Sequence, residues 1–145
     1  MDFLTSMKIS SSGLSVQRQR METLSSNLAN VETTRTPEGG PYRRKDVVVT
    51  SLPLEDDFAQ VLKTELGEKV NRVLVSSIVE DTSPPRQVYN PTHPDADSQG
   101  YVAMPNIDLV GEMVNLVTAT RSFEANVTAI NAAKSMALRA IELGR

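Results

Sequence analysis

Residues 107–143 read IDLVGEMVNLVTATRSFEANVTAINAAKSMALRAIEL, and the spacing of apolar side chains in this stretch decides the fold. Stepping by four and then three from Leu109 gives Leu109, Met113, Leu116, Thr120, Phe123, Val127, Ile130, Lys134, Ala137 and Ile141. Eight of these ten positions are apolar, which is a heptad stripe rather than scatter. Gly111 is the one glycine of the run, and no proline interrupts it. Asn106 and Asp108 are both placed to cap its start, and Gly144 stands where a helix stop belongs. Such a helix would reach about 55 Å at 1.5 Å per residue. Val110, Val114 and Val117 widen the apolar arc near the start, enough to touch more than one partner helix. Lys134 interrupts the seam, but its aliphatic stem can cover apolar surface while the ammonium reaches water.

The other end of the chain mirrors this pattern. Leu4, Met7, Ser10, Leu14, Gln17, Met21, Leu24, Leu28 and Val31 step at three or four residues. Asp2, Glu22 and Glu32 balance Lys8, Arg18 and Arg20. Gly13 and the Ser10-Ser11-Ser12 run lower helix propensity, the glycine alone by up to ~1 kcal/mol. The spacing therefore predicts a long helix that forms only with packing, because isolated helices are marginal in water.

The middle has a different texture. Thr36-Pro37-Glu38-Gly39-Gly40-Pro41 is a loop by composition. Val47-Val48-Val49 marks a strand within Tyr42 to Leu52, and Asn71 to Val79 alternates well enough for another. Phe58 to Leu66 suits a short helix or strand. Ser83-Pro84-Pro85-Arg86 is a break, Asn90 to Asp97 is turn-rich, and Tyr101 to Met104 is a last short strand. The expected architecture is mainly α with a small β module. An N-terminal helix in residues 1–34 and a C-terminal heptad helix in 106–145 pair in a coiled-coil-like bundle, with a β-rich insert in 35–105. Two long stripes and a small insert cannot hide all their apolar surface in one chain, and exposed apolar stripes mark an interface. The pattern is that of an assembling protein whose termini order in the assembly.

Composition narrows the function classes. The 145 residues suit one compact unit, and aromatics are scarce, with three Phe, three Tyr and no Trp. Net charge is −3, and Arg43-Arg44-Lys45 is the sole basic cluster, read as a solvated loop rather than a nucleic-acid site. There is no cysteine, hence no disulfide or thiolate site. Met1 to Lys8 lacks the pattern of a cleavable secretory signal, and no stretch approaches the ~20 apolar residues of a membrane span. These features alone would place the chain in the cytosol. His93, Asp95 and Asp97 are metal-ligand types, but in one proline-rich loop they read as turn formers. No nucleophile elbow, P-loop or dinucleotide fingerprint is present, so we expect no enzyme, no cofactor and no metal.

Asn27 and Asn30 sit three apart on one helix face within Ser25-Ser26-Asn27-Leu28-Ala29-Asn30-Val31-Glu32-Thr33-Thr34. Two readings fit: a helix end with solvated or carbonyl-bonding amides, and a polar lock at a subunit contact. This segment resembles the N-terminal signature of the flagellar rod and hook protein family. Glu112 to Asn126, EMVNLVTATRSFEAN, resembles the family's C-terminal signature. Pro41 to Val48, Tyr89 to Asp97 and Gly100 to Asn106 resemble its proximal-rod branch. The likeness covers nearly the whole chain and is thinnest from Pro53 to Val70. Relatives carry a tight glycine–aromatic pair after the first signature, whereas Arg35 to Pro41 is looser, as suits that branch.

The resemblance implies a structural subunit exported unfolded through the flagellar type III apparatus, with no cleaved signal. It implies polymerisation into a hollow rod crossing the periplasm, with the terminal helices as inner tube and the middle as outer layer. The implied partners are further copies of the chain, the rod proteins FlgB, FlgF and FlgG, the base adaptor FliE and the export apparatus. The expected assembly interface is Leu14, Met21, Leu24 and Leu28 with Leu109, Met113, Leu116, Phe123, Val127 and Ile130. Asn27, Asn30 and Asn126 are candidate polar register contacts. The rival reading is a soluble helical adaptor or export chaperone. It has no reason to carry both terminal signatures.

Overall fold

The computed structural model describes residues 3–53 and 71–143. Helix α1 spans Phe3–Ala29 and helix α2 spans Leu109–Leu143. Between them run β1 (Lys45–Pro53), β2 (Asn71–Glu80), β3 (Arg86–Tyr89) and β4 (Tyr101–Met104). The fold is two long terminal helices with a small antiparallel module between, as the periodicities predict. The expected element at Phe58 to Leu66 and the stop at Gly144 lie outside the described residues.

Local chemistry sets the helix ends. Of the two candidate caps for α2, Asp108 does the work: its Oδ1 accepts the Val110 N–H at 3.2 Å and its carbonyl accepts the Glu112 N–H at 2.9 Å. A Cβ on Gly111 would stand 2.8 Å from Asp108 Oδ2, so glycine makes room for the capping carboxylate. Helix α1 stops short of residue 34 because Asn30 Nδ2 takes the Ser26 carbonyl at 2.8 Å. Thr33 Oγ1 then donates to Asn30 Oδ1, and Tyr42 N–H bonds back to the Thr33 carbonyl, turning the chain toward β1.

The helices pack antiparallel. A Cβ on Gly13 would lie 3.1 Å from Asn126 Nδ2, Met21 Sδ accepts from Thr120 Oγ1 at 3.5 Å, and Asn27 Nδ2 donates to Glu112 at 3.0 Å. These three tie points set one register along the pair. The buried positions of α2 are Glu112, Ala119 and Ala133, and Asn126 continues their seven-residue spacing. Leu116, Phe123, Val127, Ile130 and Ala137 are half-buried on the flank, while Leu109, Met113, Thr120, Lys134 and Ile141 are exposed. The docked face is thus rotated by about one position from the large-residue stripe. Small side chains at the contact let the axes approach, and Gly13 supplies the matching gap on α1.

The β1–β2 hairpin lies along another side of α1. Asn27 meets Lys45 at one end, and Ser12 Oγ accepts the Val73 N–H at 3.3 Å at the other. Asn27 to Ser12 spans about 22 Å of helix, and Lys45 to Ser51, the partner of Val73, spans about 20 Å of strand, so the two elements match in length. A register shift between Val48 and Val49 marks a bulge in the ladder. Strand β3, unforeseen because four residues after a diproline show no alternation, pairs antiparallel with β4. Among the described residues the buried apolar side chains are Val16, Leu24, Val102, Pro105, Ile107, Ala119 and Ala133, a small core for so long a structure.

Candidate assembly site

Two features define the site: a buried polar node that joins the three parts of the chain, and an apolar flank of α2 that no other described residue covers. The node is centred on Asn27, in the last turn of α1 and 0% exposed. Its Nδ2 donates to the Lys45 carbonyl at 2.8 Å and to Glu112 Oε2 at 3.0 Å. Its Oδ1 accepts the Lys45 N–H at 2.8 Å and the Tyr42 hydroxyl at 3.2 Å. Tyr42 having spent its one proton there, Ser26 Oγ donates to the Tyr42 oxygen at 3.2 Å. All four hydrogen-bonding positions of the amide are occupied within the chain.

Glu112 is the second member, 3% exposed in the first turn of α2. Its Oε1 receives Arg44 Nε at 2.8 Å. A helix N-terminus favours a carboxylate, and the guanidinium and amide supply the hydrogen bonds a buried charge requires. In return, the bond to Glu112 lifts Arg44 above the usual guanidinium range, with the nearby charges of Glu112, Asp46 and Asp81 adding to it against burial. The Arg44 carbonyl also accepts the Asp81 N–H at 2.7 Å. The Asp81 carboxyl is held below its ordinary range, chiefly by hydrogen bonds from Ser83 and secondarily by the Arg44 charge. The basic cluster is therefore not one solvated loop. Arg43 is exposed, Arg44 is locked to Glu112, and Lys45 reaches Glu80 at 3.6 Å and lies over the Tyr42 ring at 5.9 Å.

The uncovered flank comprises Leu109, Val110, Met113, Val114 and Val117, with Val110 66% and Val114 59% exposed. Their spacing puts them on one side of α2, beside the face that docks on α1. Of the other residues expected at an interface, Leu24 is buried, while Leu14, Met21, Leu28, Asn30 and Asn126 are half-buried. Asn30 closes the end of α1, and Asn126 faces Gly13 across the helix pair. Glu112 and Tyr42 were not singled out as site residues from sequence, and Arg44 was read only as part of a solvated basic cluster. The one signal at Glu112 was an acidic residue in the first turn of a helix, which is too common to point at a partner 68 or 85 residues away.

The turn-rich loop is built as such: Asp95 N–H bonds His93 Nδ1 at 3.1 Å, and Asp97 Oδ1 accepts the N–H groups of Gln99 and Tyr101. Among the described residues no group of three or more His, Cys, Asp or Glu could hold a metal ion. No helix among them is long and apolar enough to cross a membrane.

Comparison with known proteins adds the following. Residues 7–35 match the family described as flagella basal body rod protein, and residues 98–143 match the C-terminal family of flagellar basal body rod FlgEFG proteins. Those segments carry most of α1 and all of α2. The flagellar basal-body rod protein FlgC of Bacillus subtilis is 48% identical to the chain, over 97% of each. The proteins of the same description from Salmonella typhimurium and Borreliella burgdorferi are each 41% identical. The first match covers 100% of both chains, and the second covers 94% of this chain and 93% of its relative.

Proposed function

Because the chain belongs to the FlgC family of flagellar basal-body rod proteins, we propose that the apolar flank of α2 is where one subunit of the rod meets the next. The chain is a structural subunit of that rod. Its terminal helices form the tube wall, and its β module faces outward. The observation that carries this reading is the uncovered run Leu109, Val110, Met113, Val114 and Val117 beside a core of seven buried apolar side chains among the described residues. Such a run gains free energy when another surface removes it from solvent, and so marks an interface. The half-buried Leu14, Met21, Leu28, Phe123, Val127 and Ile130 extend the interface where neighbouring helices close over the pair. Stacked helices that share buried seams with several neighbours resist twisting, which suits a shaft carrying torque across the periplasm. The neighbours are further copies of the chain and the rod components above and below it, FlgB, FlgF, FlgG and the adaptor FliE. The role contains no catalytic step. A soluble adaptor or export chaperone is set aside, because rod relatives match the chain from end to end.

The test is Val114→Asp. The side chain is exposed, so the purified variant should unfold at the parent's temperature. An unpaired carboxylate buried between subunits costs several kcal/mol, so the variant should be absent from fractionated basal bodies. Normal incorporation and swimming would remove the flank from the interface.

A further inference from the structure

A cavity of about 200 Å³ lies at the start of β3, lined by residues 39–44, residues 81–85 and Asn106. Its size decides what class of ligand it suits. Small-molecule and cofactor sites run from about 300 to 1,000 Å³, so this one accommodates a single side chain. Its chemistry narrows the choice further. Proline rings give flat apolar walls that pair with aromatic faces, as in recognition of proline-rich segments. The exposed Arg43 offers a guanidinium that stacks on a ring. The Asn106 amide offers a partner for a phenolic hydroxyl. Prolines, a guanidinium and an amide around a space of this size suit a tyrosine.

The far end of β3 carries one. Tyr89 is 65% exposed, an aromatic projecting into water from a chain that has six aromatics in all. It is held rigidly there. Its ring meets Tyr101 edge-on with centroids 5.3 Å apart, and the two residues are the last register pair of the β3–β4 ladder. The Asn90 N–H bonds the Gly100 carbonyl at 2.9 Å. Gly100 has φ +83°, and a Cβ on it would stand 2.9 Å from the Tyr89 ring, so glycine is required both for the turn and for the ring's position. A knob fixed in advance loses little conformational freedom on docking.

We propose that Tyr89 of one subunit inserts into the cavity at Pro41, Pro84 and Pro85 of a second copy of the chain. Within one chain the two features cannot meet, since β3 holds them about 10 Å apart along its length. A knob at one end of a strand and a hole at the other make a head-to-tail contact, which repeats from copy to copy without needing a two-fold axis. This rests on the rod-subunit reading, because a repeating array is what gives such a contact successive partners. One tyrosine buries about 150–250 Å², far less than the ~1,000 Å² of a stable interface. The contact therefore forms only alongside the helix seams, and sets how the outer modules lock.

The chain has no cysteine, so a full-length Tyr89→Cys, Pro84→Cys variant carries two thiols. The unsubstituted chain is first recovered from isolated basal bodies; its absence there would defeat the rod reading and this contact with it. Basal bodies containing the double variant are then treated with a short bismaleimide. A ladder at multiples of the subunit mass is expected, with neither single variant giving one. Incorporated subunits that yield no ladder, or that cross-link to a different protein, overturn the contact while leaving the rod reading intact. If the double variant fails to incorporate, Tyr89→Ser and Tyr89→Phe decide. The serine variant should lose swim-ring expansion while still unfolding cooperatively, and phenylalanine should retain most of the expansion. A serine variant that swims like the parent overturns the proposal.

Discussion

Asparagine and aspartate have nearly the same shape, yet at position 27 only the amide can serve. Its Nδ2 faces a carbonyl and a carboxylate, and its Oδ1 faces an N–H and a hydroxyl. Asn27→Asp would keep the second pair and turn the first into repulsion, setting a carboxylate 3.0 Å from Glu112. The expected cost is about 2–4 kcal/mol, from two lost donors and a like-charge contact. Urea unfolding of the purified chain checks it, and a change under ~0.5 kcal/mol would mean the node carries no stability. Asn30→Asp should cost less, since Asn30 is half-buried and donates one bond, to the Ser26 carbonyl. The sequence marked both amides and left two readings for them. The first reading describes Asn30, which bonds a loose carbonyl; Asn27 is a lock, but its partners lie within the chain rather than at a subunit contact. What could not be read was the partner. Glu112 lies 85 residues away, and pairing across such a distance leaves no local periodicity.

Helix α2 shows the same division between what spacing reveals and what packing decides. The heptad pattern marked the helix and its length, because an apolar repeat of that regularity has no strand equivalent. It could not tell which of two adjacent stripes docks on α1. Large residues are the natural choice, yet the pair closes on Ala119, Asn126 and Ala133, where small side chains and Gly13 allow approach. The assignment makes opposite predictions for two substitutions. Ala119→Leu adds bulk to a buried contact and should destabilise by about 1–3 kcal/mol. Leu109→Ala removes a larger group from a position 42% exposed and should stay within about 0.5 kcal/mol. Thermal unfolding of the two variants side by side checks the rotation; the reverse order would restore the large-residue stripe as the docked face. The strands divide likewise. Strands β1 and β2 were legible through β-branched runs and alternation, whereas β3 exists because β4 pairs with it.

At the scale of the whole molecule, buried and directional contacts concentrate where α1 ends and α2 begins. Stability should follow them. In the purified subunit, amide exchange in α2 should be slowest from Glu112 to Ala119 and rise steadily toward Ile141, which is 67% exposed. Uniform protection through Ile141 would mean that α2 is held along its whole length without neighbours. The placement of the node has a mechanical consequence as well. Hydrogen bonds fix an angle, whereas contacts between small apolar side chains tolerate sliding. The node is then a pivot, and α1 is a lever arm of about 36 Å from Asn27 to Phe3. A rotation of about 5° at the pivot carries the start of α1 through about 3 Å, half a helical turn, and loads the long Ser12–Val73 and Thr120–Met21 contacts before the node itself. One subunit shape can thereby fit neighbours that differ slightly in pitch, with the tolerance gathered at the end of the helix pair farthest from Glu112.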